Sequence, residues 1–243
     1  MIEAVRSDNV GLWDRYEVHR RSLTALHTEP HRWENAVQPM TCGKAPILEA
    51  RVCRKVAQNN AGACILLHGS NPTSGMSILQ TGLTTALVGE NRICSAPPMF
   101  GPGIYLTECS SKADEYSHDG PNFDGVYAVL VCRAVIGEPF VTTTPGDFSD
   151  RVMSGEYDSV LGDHLEAVGT YREFVFFHEA AIYPEYLVKY RRVYEVDDGV
   201  ANGEGAQVAA PSASVESGRQ GAGDLEVVSK HVHFQDWLDD EYW

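Results

Sequence analysis

The sequence predicts an α+β fold with a largely antiparallel sheet. Three observations carry this. Segments of helical period lie toward the start of the chain, and segments of strand character gather toward residue 196. The two kinds do not alternate as a βαβ series would. Residues 126–137 (VYAVLVCRAVIG) are nearly all apolar, which predicts a central strand buried on both faces.

The elements follow in order. Residues 9–26 place Leu12, Tyr16, Leu23 and Leu26 near a 3.6-residue period, with Trp13 alongside, and Asp8 or Asn9 is available as the N-cap. Residues 46–58 repeat Leu48, Val52 and Val56 at helical spacing. ACILLHGS reads as a buried strand that His68 closes. NPTSGMSILQTGL follows as a turn and a short helix, terminated by Gly82. A loop spans 84–99, and GIYLT (103–107) is a short strand. SSKADEY (110–116) opens a helix in which Ser111 and Asp114 have the spacing of a capping box. YREFVFF (171–177) and YLVKYRRVYEV (186–196) complete the strands.

The chain has 243 residues, 43% of them hydrophobic and 22% charged, enough to bury one core and too apolar for wholesale disorder. No stretch approaches the roughly 20 apolar residues of a membrane span. The N-terminus has no apolar signal segment, which predicts an intracellular protein, cytoplasmic or nuclear, without membrane association. The net charge is −15, of which −9 falls in residues 195–243. Neither part offers the basic face of a nucleic-acid reader, so no nucleic-acid partner is expected. The six cysteines (42, 53, 64, 94, 109 and 132) show no zinc-ligand spacing, so no metal is expected, and they read as reduced thiols.

Three segments result: a body over 1–196, a linker over 197–226 and a tail over 227–243. Between Asp197 and Gly223, 16 of 27 residues are Gly, Ala, Ser or Pro, a composition too poor in apolar groups to fold. The tail mixes Phe234, Trp237, Leu238, Tyr242 and Trp243 with acids, as a docking peptide for a protein partner would; folding back onto the body is the other reading.

Three polar residues stand where apolar ones are the default. His68 ends a buried strand, Tyr116 ends a helix reached through FGPGIY, and Glu173 lies in an apolar strand. A carboxylate in such a strand needs a cavity or a partner, Arg172 or another base. Other signatures fail: there is no dinucleotide-binding GxGxxG before a helix, no phosphate-loop lysine, no GxSxG and no HExxH.

Taken together, LLHGSNPTSGMSILQTGL, MFGPGIYLTECSSKADEY and YREFVFFHEAAIYPEYLVKY, in that order, resemble the catalytic domain of poly(ADP-ribose) polymerases, most nearly its tankyrase-type and shorter members. VLVCRAVIG, YDSVLGD and the lead-in SDNVGLWDRYEVHRR extend the likeness over residues 5–195. The resemblance implies the ADP-ribosyltransferase fold, two packed sheets around a cleft for NAD, and a His-Tyr-Glu catalytic set of His68, Tyr116 and Glu173. By the same resemblance, His68 and Ser70 hold the adenosine ribose, and the Gly69 backbone reads the nicotinamide amide. Tyr116 stacks on the nicotinamide ring, Tyr105 flanks its other face, and Lys112 stands near the acceptor side. Glu173 bonds the ribose 2′-OH, and its hold strengthens as oxocarbenium character develops. Where the family often has a serine bonding the nicotinamide amide, this chain has Ala113; Ser111 or water is the available substitute. No zinc-site insertion and no autoinhibitory helical domain are expected, so no gating by DNA breaks.

The implied activity is NAD-dependent transfer of ADP-ribose to protein acceptors, the chain itself included, tilted toward polymer or oligomer synthesis because Glu173 is retained. NAD is the substrate. The alternative is a catalytically weak NAD-binding or interaction module acting through its tail, which Ala113 favours. An RNA 2′-phosphotransferase is disfavoured, because it needs a basic groove and a cation where Glu173 stands.

Overall fold

The structure, a computed structural model, describes residues 1–26, 62–87, 98–119, 124–164 and 171–192. The expected helix at 46–58, most of the loop at 84–99, the linker and the tail lie outside the described residues.

Strand β1 (Glu3–Arg6) leads into helix α1 (Val10–Leu26). Asn9 caps the helix, its Oδ1 accepting from the Leu12 N–H at 3.0 Å. Strand β2 (Ala63–Ser70) and helix α2 (Pro72–Thr81) follow, then β3 (Ile104–Leu106), the short helix α3 (Ser110–Glu115) and β4 (Tyr127–Val135). The remainder is β5 (Pro139–Thr142), α4 (Ser149–Met153), β6 (Ser159–Asp163), β7 (Arg172–Phe176) and β8 (Ile182–Tyr190). β8 begins four residues before the expected strand at 186–196 and ends at Tyr190. β1, β5, β6 and α4 were not anticipated: each has five residues or fewer, too few to show a period.

Two four-stranded sheets result, one ordered β1-β8-β4-β2 and the other β3-β7-β6-β5. Every pairing is antiparallel except β5 with β6. The expected α+β class therefore holds, with one parallel pair inside an antiparallel design.

The residues of β4 explain the unbroken apolar run. Leu130, Cys132 and Ala134 meet Leu66, Leu106, Leu161, Phe174 and Phe176 in the core between the sheets. Val129 and Val131 point the other way, packing with Leu67, Val188 and Ala113 of α3. Farther along that face, Leu12, Tyr16 and Leu23 of α1 cover Val135 and Tyr183. A strand between two apolar layers has no wet face and so loses its alternation.

The sheets meet at their edges. β2 closes one and β3 the other, and a single bridge joins them: Leu67 N donates to Thr107 O at 2.7 Å, and Thr107 N returns to Leu67 O at 2.9 Å. His68, Gly69 and Ser70 follow this junction at once.

Candidate active site

His68 lies beside the bridge. Its Nδ1 is 2.9 Å from the carbonyl oxygen of Tyr105. A carbonyl only accepts, so Nδ1 carries the proton and Nε2 is left as a bare acceptor. Burial lowers the imidazole pKa, and the bond to Tyr105 opposes it without cancelling it, so the ring stays neutral. Among the described residues Nε2 has no partner.

Ser70 shares the His68 face of β2, because side chains two apart on a strand point the same way. It is only 6% exposed, and its hydroxyl makes no hydrogen bond among the described residues. Leaving such a group unpaired costs about 1–3 kcal/mol. A bare imidazole acceptor and an unsatisfied hydroxyl, side by side, are complementary to a vicinal diol, which both donates and accepts.

Gly69 faces the opposite way. A Cβ there would lie 2.0 Å from the Ala113 carbonyl oxygen and 3.0 Å from the Tyr116 Cβ. The absent side chain thus lets the end of α3 sit directly on β2, which places the Tyr116 ring beside Gly69. Gly69→Ala must push α3 outward. Overpacking of this kind costs about 1–3 kcal/mol, and displacement of Tyr116 is expected to weaken nicotinamide binding as well; calorimetric titration with nicotinamide beside a thermal melt reads both.

Tyr116 is the C-cap of α3 and is 45% exposed. Tyr105 is held at both ends of its hydroxyl, donating to Gly101 O at 2.9 Å and accepting from Phe100 N at 2.8 Å. Burial raises its phenol pKa, the Phe100 bond pulls it down, and the charge of Glu173 adds to the rise.

Lys112 links the aromatic side of the site to the carboxylate. Its Nζ lies 4.9 Å from the Tyr116 ring centroid, 3.1 Å from Glu115 Oε2 and 3.7 Å from Glu173 Oε1. Burial would lower the ammonium pKa, but the Glu173 charge and the Glu115 bond outweigh it and raise it, so the lysine stays protonated. Glu173 is 9% exposed and makes no direct hydrogen bond among the described residues, 3.7 Å being an ion-pair distance and too long for one.

Of the partners offered for Glu173 in the sequence, Arg172 or another base, it is another base, Lys112, that stands beside it. Arg172 turns to the other face of β7 and clasps Glu108 with two bonds of 2.8 and 2.9 Å, both side chains about 5% exposed. Thr107 Oγ1 donates to Arg172 O at 3.1 Å, and Ser111 Oγ to Tyr171 Oη at 3.3 Å. These contacts bind the start of α3, which carries Lys112, to the start of β7, which carries Glu173.

Two further expectations are corrected. Ser111 and Asp114 form no capping box: Cys109 is the N-cap and gives no side-chain cap bond, while Asp114 receives the Tyr190 hydroxyl and the Arg192 guanidinium. A capping box needs the serine at the cap itself, and here the cap falls two residues earlier, at Cys109, with the helix starting at Ser110. Cys109 is disulfide-bonded rather than a reduced thiol, while Cys64 and Cys132 are buried and carry no disulfide. Ser111, engaged with Tyr171 and 3.1 Å from Cys109 Sγ, is committed away from the role of replacing the serine absent at Ala113.

Among the described residues no group of three or more His, Cys, Asp or Glu is gathered as a metal ligand set, and no helix is long and apolar enough to cross a membrane.

Two sheets joined at one edge, with a histidine, a tyrosine and a glutamate gathered beside the junction, define the α+β ADP-ribosyltransferase fold. The family model described as the poly(ADP-ribose) polymerase catalytic domain matches residues 2–192, and the chain belongs to that family of ADP-ribosyltransferases, whose domains use NAD as substrate. Among curated proteins, none matches the chain in sequence.

Proposed function

We propose that this chain transfers ADP-ribose from NAD to protein acceptors, itself among them, with release of nicotinamide, and that it extends the product into oligomers or polymers. The observation that carries this reading is Glu173: a buried carboxylate with no direct hydrogen bond among the described residues, held 3.7 Å from a protonated lysine and so available to a substrate hydroxyl.

In the reaction, the bond between the ribose C1′ and the nicotinamide nitrogen breaks. The bonding electrons leave with nicotinamide, which becomes neutral, and a new bond forms from C1′ to the acceptor atom, whose proton passes to a base or to water. Positive charge builds on the ribose between these events. Glu173 accepting from the 2′-OH holds the sugar more tightly as that charge grows, so its bond is worth more in the transition state than in the ground state. Tyr116 and Tyr105 bracket the ring that leaves, and Lys112 lies 3.7 Å from Glu173. His68 and Ser70 hold the adenosine ribose, consistent with the acceptor and hydroxyl left unpaired there.

Ala113 favours a second reading, a weakly catalytic NAD-binding module. Its methyl is 2% exposed, packed against Leu67 and Val129, and supplies no hydroxyl to a carboxamide. One assay pair separates the readings. A ligand at 100 times its dissociation constant stabilises the fold by about 2.7 kcal/mol, which a thermal melt with NAD detects. Incorporation of label from labelled NAD supports the transferase. A thermal shift without incorporation supports the second reading, and neither effect overturns both.

A further inference from the structure

His118 stands outside the set of residues discussed so far, two residues beyond Tyr116, and its surroundings give it a defined chemistry. Its backbone N–H donates to Ser70 O at 3.2 Å, which ties it to the end of β2 beside the unsatisfied Ser70 hydroxyl. Its ring Nε2 lies 3.0 Å from Asn71 Nδ2.

The orientation of Asn71 is settled by its cap: Oδ1 accepts from the Ser74 N–H at 2.9 Å, so the other end of the amide is NH2 and can only donate. Nε2 of His118 must therefore accept, which fixes the neutral tautomer and puts the proton on Nδ1. That N–H has no partner among the described residues, and the side chain is exposed. Asn71 itself is only 8% exposed and spends its second donor on Ser74 Oγ at 2.9 Å, so it serves as a rigid mount for the imidazole.

The His68 Nε2 acceptor and the Ser70 hydroxyl thus stand at the end of β2, and the His118 Nδ1 donor belongs to a residue tied to that same end through its backbone. We propose that His118 is a further binding residue for NAD, donating from Nδ1 to an acceptor oxygen of its adenosine diphosphate half. This rests on the NAD reading above. An exposed donor aimed by a buried amide suits an anionic or hydroxyl oxygen.

The test is calorimetric titration of the full chain with nicotinamide, adenosine and ADP as separate probes. His118→Phe keeps a ring of similar size and removes the donor; His118→Gln restores an amide N–H. The Phe variant is expected to bind ADP roughly three- to tenfold more weakly, the loss of one hydrogen bond, with nicotinamide affinity unchanged and the Gln variant recovering part of the loss. A matching loss with adenosine locates the contact on the ribose; a loss with ADP alone locates it on phosphate; either supports the proposal. Unchanged ADP affinity overturns it, as does equal weakening of nicotinamide and ADP, which would make His118 a support of the whole cleft. If the wild-type chain binds none of the three probes, the NAD reading fails and this inference falls with it.

Discussion

Glu173→Gln is expected to slow ADP-ribose transfer by about 10²–10³-fold while leaving nicotinamide binding and the fold close to wild type. The substitution keeps shape and removes charge. Among the described residues Glu173 has one charged partner, Lys112 at 3.7 Å, and that lysine retains Glu115 at 3.1 Å. Little structure therefore depends on the carboxylate, and its removal is felt where positive charge develops on the ribose. An amide oxygen still accepts from a hydroxyl but does not gain strength as that charge grows. The measurement is automodification with labelled NAD resolved by gel. The wild type should give a smear of extended product, and the variant a sharp band or none. Equal chain lengths would show that Glu173 is not the catalytic carboxylate. A single sharp band for both proteins would mean that single units are transferred and that Glu173 is dispensable for it.

Arg172→Met is expected to cost about 3–5 kcal/mol, with a thermal midpoint lowered by about 6–20 °C for a domain of this size. Arg172 and Glu108 are each about 5% exposed and share two short bonds across 64 residues of sequence. Removing the guanidinium leaves the Glu108 carboxylate buried without its bidentate partner, and desolvation of that charge is the main loss. Replacing both, as Glu108→Leu with Arg172→Met, removes the buried charge as well and should recover most of the stability. Because the pair anchors the start of α3 to the start of β7, the double variant has a second readout. If the pair also sets the spacing of Lys112 from Glu173, its transfer rate stays low after the midpoint recovers. A single variant melting within about a degree of wild type would show the pair to be without structural weight.

Much of the site was legible in the chain because its residues break local rules. A histidine at the end of a buried strand and a glutamate inside YREFVFF stand against the apolar pattern around them, the tyrosine is singled out only by the family resemblance of its motif, and the structure brings all three to one junction. The core was legible for a related reason: β2, β4 and β7 announce themselves by predominantly apolar runs, a property of the segment alone. Where the reading erred, the signal was short or ambiguous. S-x-x-D over 111–114 has the form of a capping box, but the pattern does not say where the helix begins, and a two-residue difference in the cap sends Ser111 to Tyr171 and Asp114 to Tyr190.

What the sequence by itself determined was the fold class and the main strands, because periodicity and apolar run length are carried by neighbouring residues; the His-Tyr-Glu set was singled out by the resemblance of three ordered motifs to a family. What only the tertiary structure decided was partnership. Arg172 pairs with Glu108 and leaves Glu173 to Lys112; Gly69 is required by the end of α3 at its back; Asn71 sets the tautomer of His118 from 47 residues away. The physical reason is range. A hydrogen bond or an ion pair acts over about 3–4 Å, and which groups come within that distance depends on how two sheets and a helix pack, a geometry that no stretch of neighbouring residues encodes.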